Sequence, residues 1–179
     1  MMELHKTKSQ FGLAAATALW LAAGATTAQA AVTPCLSEPE AEAVMVTVLP
    51  DIIDAVGKAC SAALPPEATL RGGLATLVGR YRAEAPAAWP LAKGGLAKFM
   101  GDQLPGVDPD VLRPLVGALI GPVVAKDIKP GDCPKVERVV GLLSPLPARN
   151  TAGIVVMLFT LGTQGKPGKA PFTICPVAP

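Results

Sequence analysis

Four cysteines, Cys35, Cys60, Cys133 and Cys175, constrain this chain more than any other feature. Their spacings of 25, 73 and 42 residues hold neither the close C-x2-C knuckles of a four-cysteine zinc site nor the C-x-x-C of a thioredoxin-like redox pair. An even number of cysteines in a chain bound for an oxidising compartment reads as a disulfide framework, and four of them allow three pairings. The simplest is sequential, Cys35 with Cys60 and Cys133 with Cys175, and geometry sets its condition. One straight helix over residues 38–60 would hold Cys35 and Cys60 more than about 30 Å apart, whereas a disulfide needs Cα atoms within about 7 Å. Sequential pairing therefore requires a chain reversal. Leu49-Pro50-Asp51 is placed to supply one, because proline disfavours helical geometry in the residue before it.

The N-terminus indicates the compartment. His5, Lys6 and Lys8 make a basic start, residues 11–25 carry no charge, and Ala28-Gln29-Ala30 is a small-x-small cleavage site. That order is a secretory signal peptide. Its apolar run of about 15 residues is short for a membrane span, which needs about 20. There is no Arg-Arg pair, and Val32-Thr33-Pro34 before Cys35 is not a lipoprotein box. The expectation is a signal peptide over residues 1–30, cleaved near Ala30, and a single helical domain over 31–179. Such a protein is periplasmic or secreted, with no transmembrane segment in the mature chain.

Cleavage also removes His5, the single histidine. Without an imidazole, a Ser-His-Asp or Cys-His nucleophile has no proton shuttle near neutral pH. Catalytic zinc sites of the His-rich kind and His-ligated haem fall away as well. No catalytic, cofactor-binding or metal-ligating residues are assigned, no cofactor is implied, and the chain reads as a non-enzyme. Charge alternates in blocks, acidic over 31–67, basic over 68–100, acidic over 101–132 and basic over 133–179. This lacks the one-sided basic face that phosphate-backbone binding requires, so a nucleic-acid partner is not expected.

Along the mature chain the signals are helical. Ser37-Glu38-Pro39-Glu40 is a capping box with proline in the first turn, and Glu38, Glu40 and Glu42 read as first-turn acids, not as paired catalytic carboxylates. A second helix is expected over Asp51–Leu64, stopped by Pro65-Pro66. Residues 67–84 form the clearest amphipathic pattern, with Leu70, Leu74, Leu77, Val78 and Tyr81 on one stripe and Arg71, Arg80 and Arg82 elsewhere. The form basic-Gly-Gly-Leu-Ala occurs at Arg71 and again at Lys93. Two copies do not make a solenoid, and the glycines suit close helix packing.

Asp108-Pro109-Asp110 is an N-cap followed by an N1 proline, opening a helix with apolar doublets at 111/112, 115/116, 119/120 and 123/124. Gly117-x-x-x-Gly121 beside them predicts close packing between soluble helices. Lys129-Pro-Gly-Asp132 is a turn, Pro134 opens a short helix to Leu143, and Ser144-Pro-Leu-Pro147 is an extended connector. Asn150 caps a segment over 151–161 whose core, Ile154 to Phe159, is apolar all round. Helix and buried strand compete there, and the cap with Gly162 favours a buried helix.

Cys35-Leu-Ser-Glu-Pro-Glu-Ala-Glu-Ala43, with Leu49-Pro-Asp-Ile-Ile53 and Cys60, resembles small exported bacterial proteins with no assigned function. The likeness covers the first third of the chain, implies a periplasmic setting and carries no site. The whole pattern predicts an all-α fold: six to seven short proline-broken helices in antiparallel pairs, stapled by two disulfides. Two functions suit it. One is a binding module for a protein or envelope component. The other is a carrier of a hydrophobic or lipid ligand, with Arg71, Arg80 or Arg82 near the ligand headgroup.

Overall fold

A computed structural model of the chain describes residues 35–100, 106–163 and 173–175. The expected signal peptide and its cleavage site lie outside the described residues. Of those described, 79% are helical when two short 3-10 turns are included, and the α-helices number five instead of six or seven: α1 Glu38–Cys60, α2 Leu74–Met100, α3 Pro109–Ala125, α4 Cys133–Leu143 and α5 Ala148–Thr163. Two short strands, β1 Cys35–Leu36 and β2 Thr173–Ile174, pair in parallel. Single 3-10 turns at Ser61–Ala63 and Pro130–Asp132 follow α1 and precede α4.

The shortfall in helix number follows from interior prolines that do not break their helices, five of them among the described residues, with Pro114 and Pro122 inside α3. Pro50 lies inside α1 and is fully buried, and Pro86 and Pro90 lie inside α2. A proline removes one backbone donor and crowds the preceding turn. At Pro50 that cost is offset by a helix surrounded on several sides. Val46, Leu49, Ile53 and Val56 of α1 join one core with Leu64, Leu70, Leu77, Val78, Tyr81, Ala148 and Ala152.

The unbroken α1 overturns the expected cysteine pairing. Its 23 residues span about 34 Å, so Cys35 and Cys60 sit at opposite ends of a rod. The disulfides are nested: Cys35 joins Cys175 with Cα atoms 5.0 Å apart, and Cys60 joins Cys133 at 5.5 Å. The inner bridge belongs to the core, with Cys60 and Cys133 buried. The outer bridge fastens β1 to β2, and the Cys175 N–H donates to Leu36 O at 2.7 Å.

The stripe predicted over 67–84 is real, but its first turn is not α2. Leu70, Leu77, Val78 and Tyr81 are buried, yet the helix opens only at Leu74. Pro65-Pro66 and Gly72-Gly73 keep the intervening residues in turns. Glu137 of α4 holds that turn, its carboxylate accepting the N–H groups of Thr69 at 2.7 Å and Leu70 at 2.9 Å. The two glycine pairs of the short repeat are not equivalent, since Gly72-Gly73 lies in the turn and Gly94-Gly95 inside α2.

The α3 helix begins as expected, with Asp108 accepting the Asp110 N–H at 2.9 Å. Its Gly117 and Gly121 are buried against α1. A Cβ on Gly121 would sit 2.7 Å from Asp51 O and 3.1 Å from the Ala55 Cβ, and one on Gly117 would overlap the Asp51 carboxylate. This is the close packing that the Gly-x-x-x-Gly spacing predicts.

In the last helix three expectations need correction. α5 starts at Ala148, so Asn150 lies within its first turn; Glu84 of α2 accepts the Ala148 N–H instead, at 3.0 Å. Residues 144–146 form a turn, closed by the Leu146 N–H on Leu143 O, in place of an extended connector. Finally, α5 is a helix but not a buried one. Only Ala148, Thr151, Ala152 and Val156 are buried.

Candidate functional site

The apolar doublets of α3 divide between two faces. Leu112, Val116 and Ile120 are half-buried, while Val111, Leu115, Leu119 and Val123 are each more than half exposed. Positions four apart lie one above another on a helix, so the exposed four form a single outward row. α5 repeats the arrangement. Ile154, Met157, Leu158 and Leu161, at i, i+3, i+4 and i+7, face outward, with Leu158 62% exposed. Val139 and Leu142 on α4 are also exposed, at the i, i+3 spacing. A helix face of this kind ordinarily lies against another element, which makes these exposed rows the candidate interaction surface. The doublets themselves carried the signal, because an apolar residue at both i and i+1 in every turn makes an arc wider than one neighbour covers.

Between the helices lies an apolar cleft of about 240 Å³. Leu49, Ile52, Ile53 and Val56 of α1, Leu77 and Tyr81 of α2, Val124 of α3, Val136, Val140 and Leu143 of α4, and Thr151 and Val155 of α5 line it with Ile128. Its polar atoms are occupied with one another. Tyr81 Oη and Thr151 Oγ1 are hydrogen-bonded at 2.9 Å, and the Tyr81 hydroxyl also lies 3.3 Å from Leu143 O. On α5, Leu158 continues the Thr151–Val155 row one turn beyond the cleft. The sequence marked Tyr81 as core and gave no sign of its pairing with Thr151, 70 residues away. A second cleft, of about 310 Å³, has mixed lining that includes Glu42 and Arg149.

The three arginines assigned to a ligand headgroup go to separate partners. Arg71 donates to Leu64 O at 2.5 Å, and Arg82 pairs with Asp51 at 3.0 Å. Arg80 donates to Ser144 O and lies over the Tyr81 ring, 5.6 Å from its centroid. None of them is among the residues lining the apolar cleft.

The charged clusters secure helix ends. The Ser37 N–H and hydroxyl both donate to Glu40 Oε2, at 2.9 and 2.8 Å, and Lys98 of α2 reaches the same oxygen at 2.7 Å. The Lys98 ammonium, with the Ser37 N–H, holds the Glu40 carboxyl below the usual range. At the start of α3, Lys93 bonds Asp110 and also Asp108, the latter at 2.9 Å. Trp89 donates its indole N–H to Asp110 and carries Arg113 over its ring at 4.9 Å. Lys93, then Trp89, lower the Asp110 carboxyl; the Asp110 N–H, then Lys93, lower Asp108. The Lys93 ammonium is raised by the same two acids.

Among the described residues no group of three His, Cys, Asp or Glu side chains could hold a metal ion, and no helix is long and apolar enough to cross a membrane. The fold and its surface define an all-α, twice-bridged domain with outward apolar helix faces. No family model, curated protein or solved structure matches the chain.

Proposed function

We propose that this chain is an exported, non-enzymatic binding module that docks an apolar surface of a protein or envelope component through the outer faces of α3 and α5. The observation that carries this reading is the pair of outward rows, Val111–Leu115–Leu119–Val123 and Ile154–Met157–Leu158–Leu161. The export setting draws support from the two disulfides and from the basic, apolar, small-residue order of the first 30 residues. A photo-crosslinking residue placed at Leu119 or Leu158 should give a discrete adduct in the cell envelope, and one placed at the exposed Glu67 should not. Burying one leucine contributes about 1.5–3 kcal/mol, so Leu158→Asp should weaken capture by at least about tenfold. Equal adducts from Glu67 and from the two apolar rows would refute the assignment. A second reading, a carrier of a hydrophobic ligand, is favoured by the apolar cleft.

A further inference from the structure

We infer that the cleft between the helices is a binding site for one uncharged apolar group, the size of a single ring or a short alkyl chain, and that it takes no charged headgroup. The inference rests on the carrier reading and narrows its ligand class. Size is the first argument. The volume of about 240 Å³ exceeds the roughly 150 Å³ of an engineered cavity that takes benzene, and falls short of the roughly 300 Å³ at which drug-sized ligand sites begin. A whole lipid does not fit.

The chemistry of the wall is the second argument. Ile52, Ile53, Leu77, Val136, Val140 and Val155 present only hydrocarbon, and no charged side chain lines the cleft. Tyr81 and Thr151 bond each other, so neither hydroxyl is left seeking a partner in the ligand. A ligand carboxylate or ammonium entering here would lose its hydration and find no counter-charge. The nearby arginine offers none, since Arg80 is committed to the Ser144 carbonyl. The site therefore selects by the absence of polar groups as much as by shape.

Tyr81 is the single tyrosine of the chain, which gives the cleft its own reporter. The oxidised full mature protein, carrying ring-labelled tyrosine, would be titrated with toluene, benzoate and palmitate while the Tyr81 ring resonances are followed by NMR. Equilibrium dialysis on the same samples would measure total uptake. Toluene should shift the Tyr81 signals saturably. Benzoate should bind at least about tenfold more weakly because its charge is buried unpaired, and palmitate should leave Tyr81 unmoved. Val155→Phe should fill the cleft and abolish the response; Val140→Phe is the second filling variant should the first fail to fold. Uptake of toluene without a Tyr81 response overturns this site and leaves the carrier reading standing, and a saturable Tyr81 shift with palmitate overturns the ligand class. No uptake of either overturns both. Equal binding of benzoate, or full toluene binding by a folded filling variant, overturns the ligand class or the location.

Discussion

Replacing Cys60 by alanine tests the nested bridges and the rigidity of α1 together. The substitution opens the Cys60–Cys133 link, whose partners are 73 positions apart. In the chain-entropy description a loop of that length contributes about 4 kcal/mol. The outer bridge spans 140 positions, but the inner bridge shortcuts about half of them, so with the inner one closed it also contributes about 4 kcal/mol. Against a stability of about 5–15 kcal/mol for an ordinary domain, either loss is large. With a urea slope of about 2 kcal/mol per molar, the midpoint of Cys60→Ala,Cys133→Ala should fall by about 2 M. Alkylation of the denatured single variant, followed by peptide mapping, identifies the freed thiol. Nested pairing places the label on Cys133, and sequential pairing places it on Cys35. A label on Cys35, or a double variant within about 1 kcal/mol of the parent, would refute the reasoning.

Gly121→Ala should destabilise the domain by about 1–3 kcal/mol, because the new methyl meets the Asp51 carbonyl and Ala55 on α1 and the backbone must shift; Gly117→Ala should cost less, since only the Asp51 side chain blocks it, and urea unfolding of both variants checks the order. Glu40 has a lower pKa folded than unfolded, so the unfolded chain binds the extra proton in acid. The stability it adds is present above its unfolded pKa of about 4.3 and is lost as pH falls through the lower folded value. Unfolding free energies between pH 6 and pH 3 should therefore fall less steeply in Glu40→Gln than in the parent, and equal slopes would exclude Glu40 as a source of acid sensitivity.

Local chemistry was the legible part of this fold. Asp108-Pro109 opens α3 where its cap and proline say it must, Pro134 stands in the first turn of α4, and the Gly117–Gly121 spacing reports its own contact. These signals depend on neighbours within one helical turn. Pro50 was misread because a proline penalty is local, whereas the burial that overrides it comes from elements far away in sequence. The cysteine pairing then went wrong as a direct result. Glu137 and Glu84 illustrate the same limit, each closing backbone donors more than 60 residues away, with no periodic trace in the sequence. At the surface, the all-round apolar run of α5 suggested burial on every side. Hydropathy records what a helix could cover, and not how many neighbours arrive to cover it.

The outer bridge has a consequence for biogenesis. Under the proposed export, a chain crossing the membrane N-terminus first would deliver Cys35 to the oxidising side long before Cys175, its proper mate. During that interval the first competing thiol to arrive is Cys60. Helices form within about a microsecond, whereas thiol oxidation takes seconds to hours. Once α1 has docked as a rod, it holds the two early thiols out of mutual reach and acts as a spacer against the wrong bond. A chain oxidised before that docking would be trapped with Cys35 taken, and would depend on an isomerase for release.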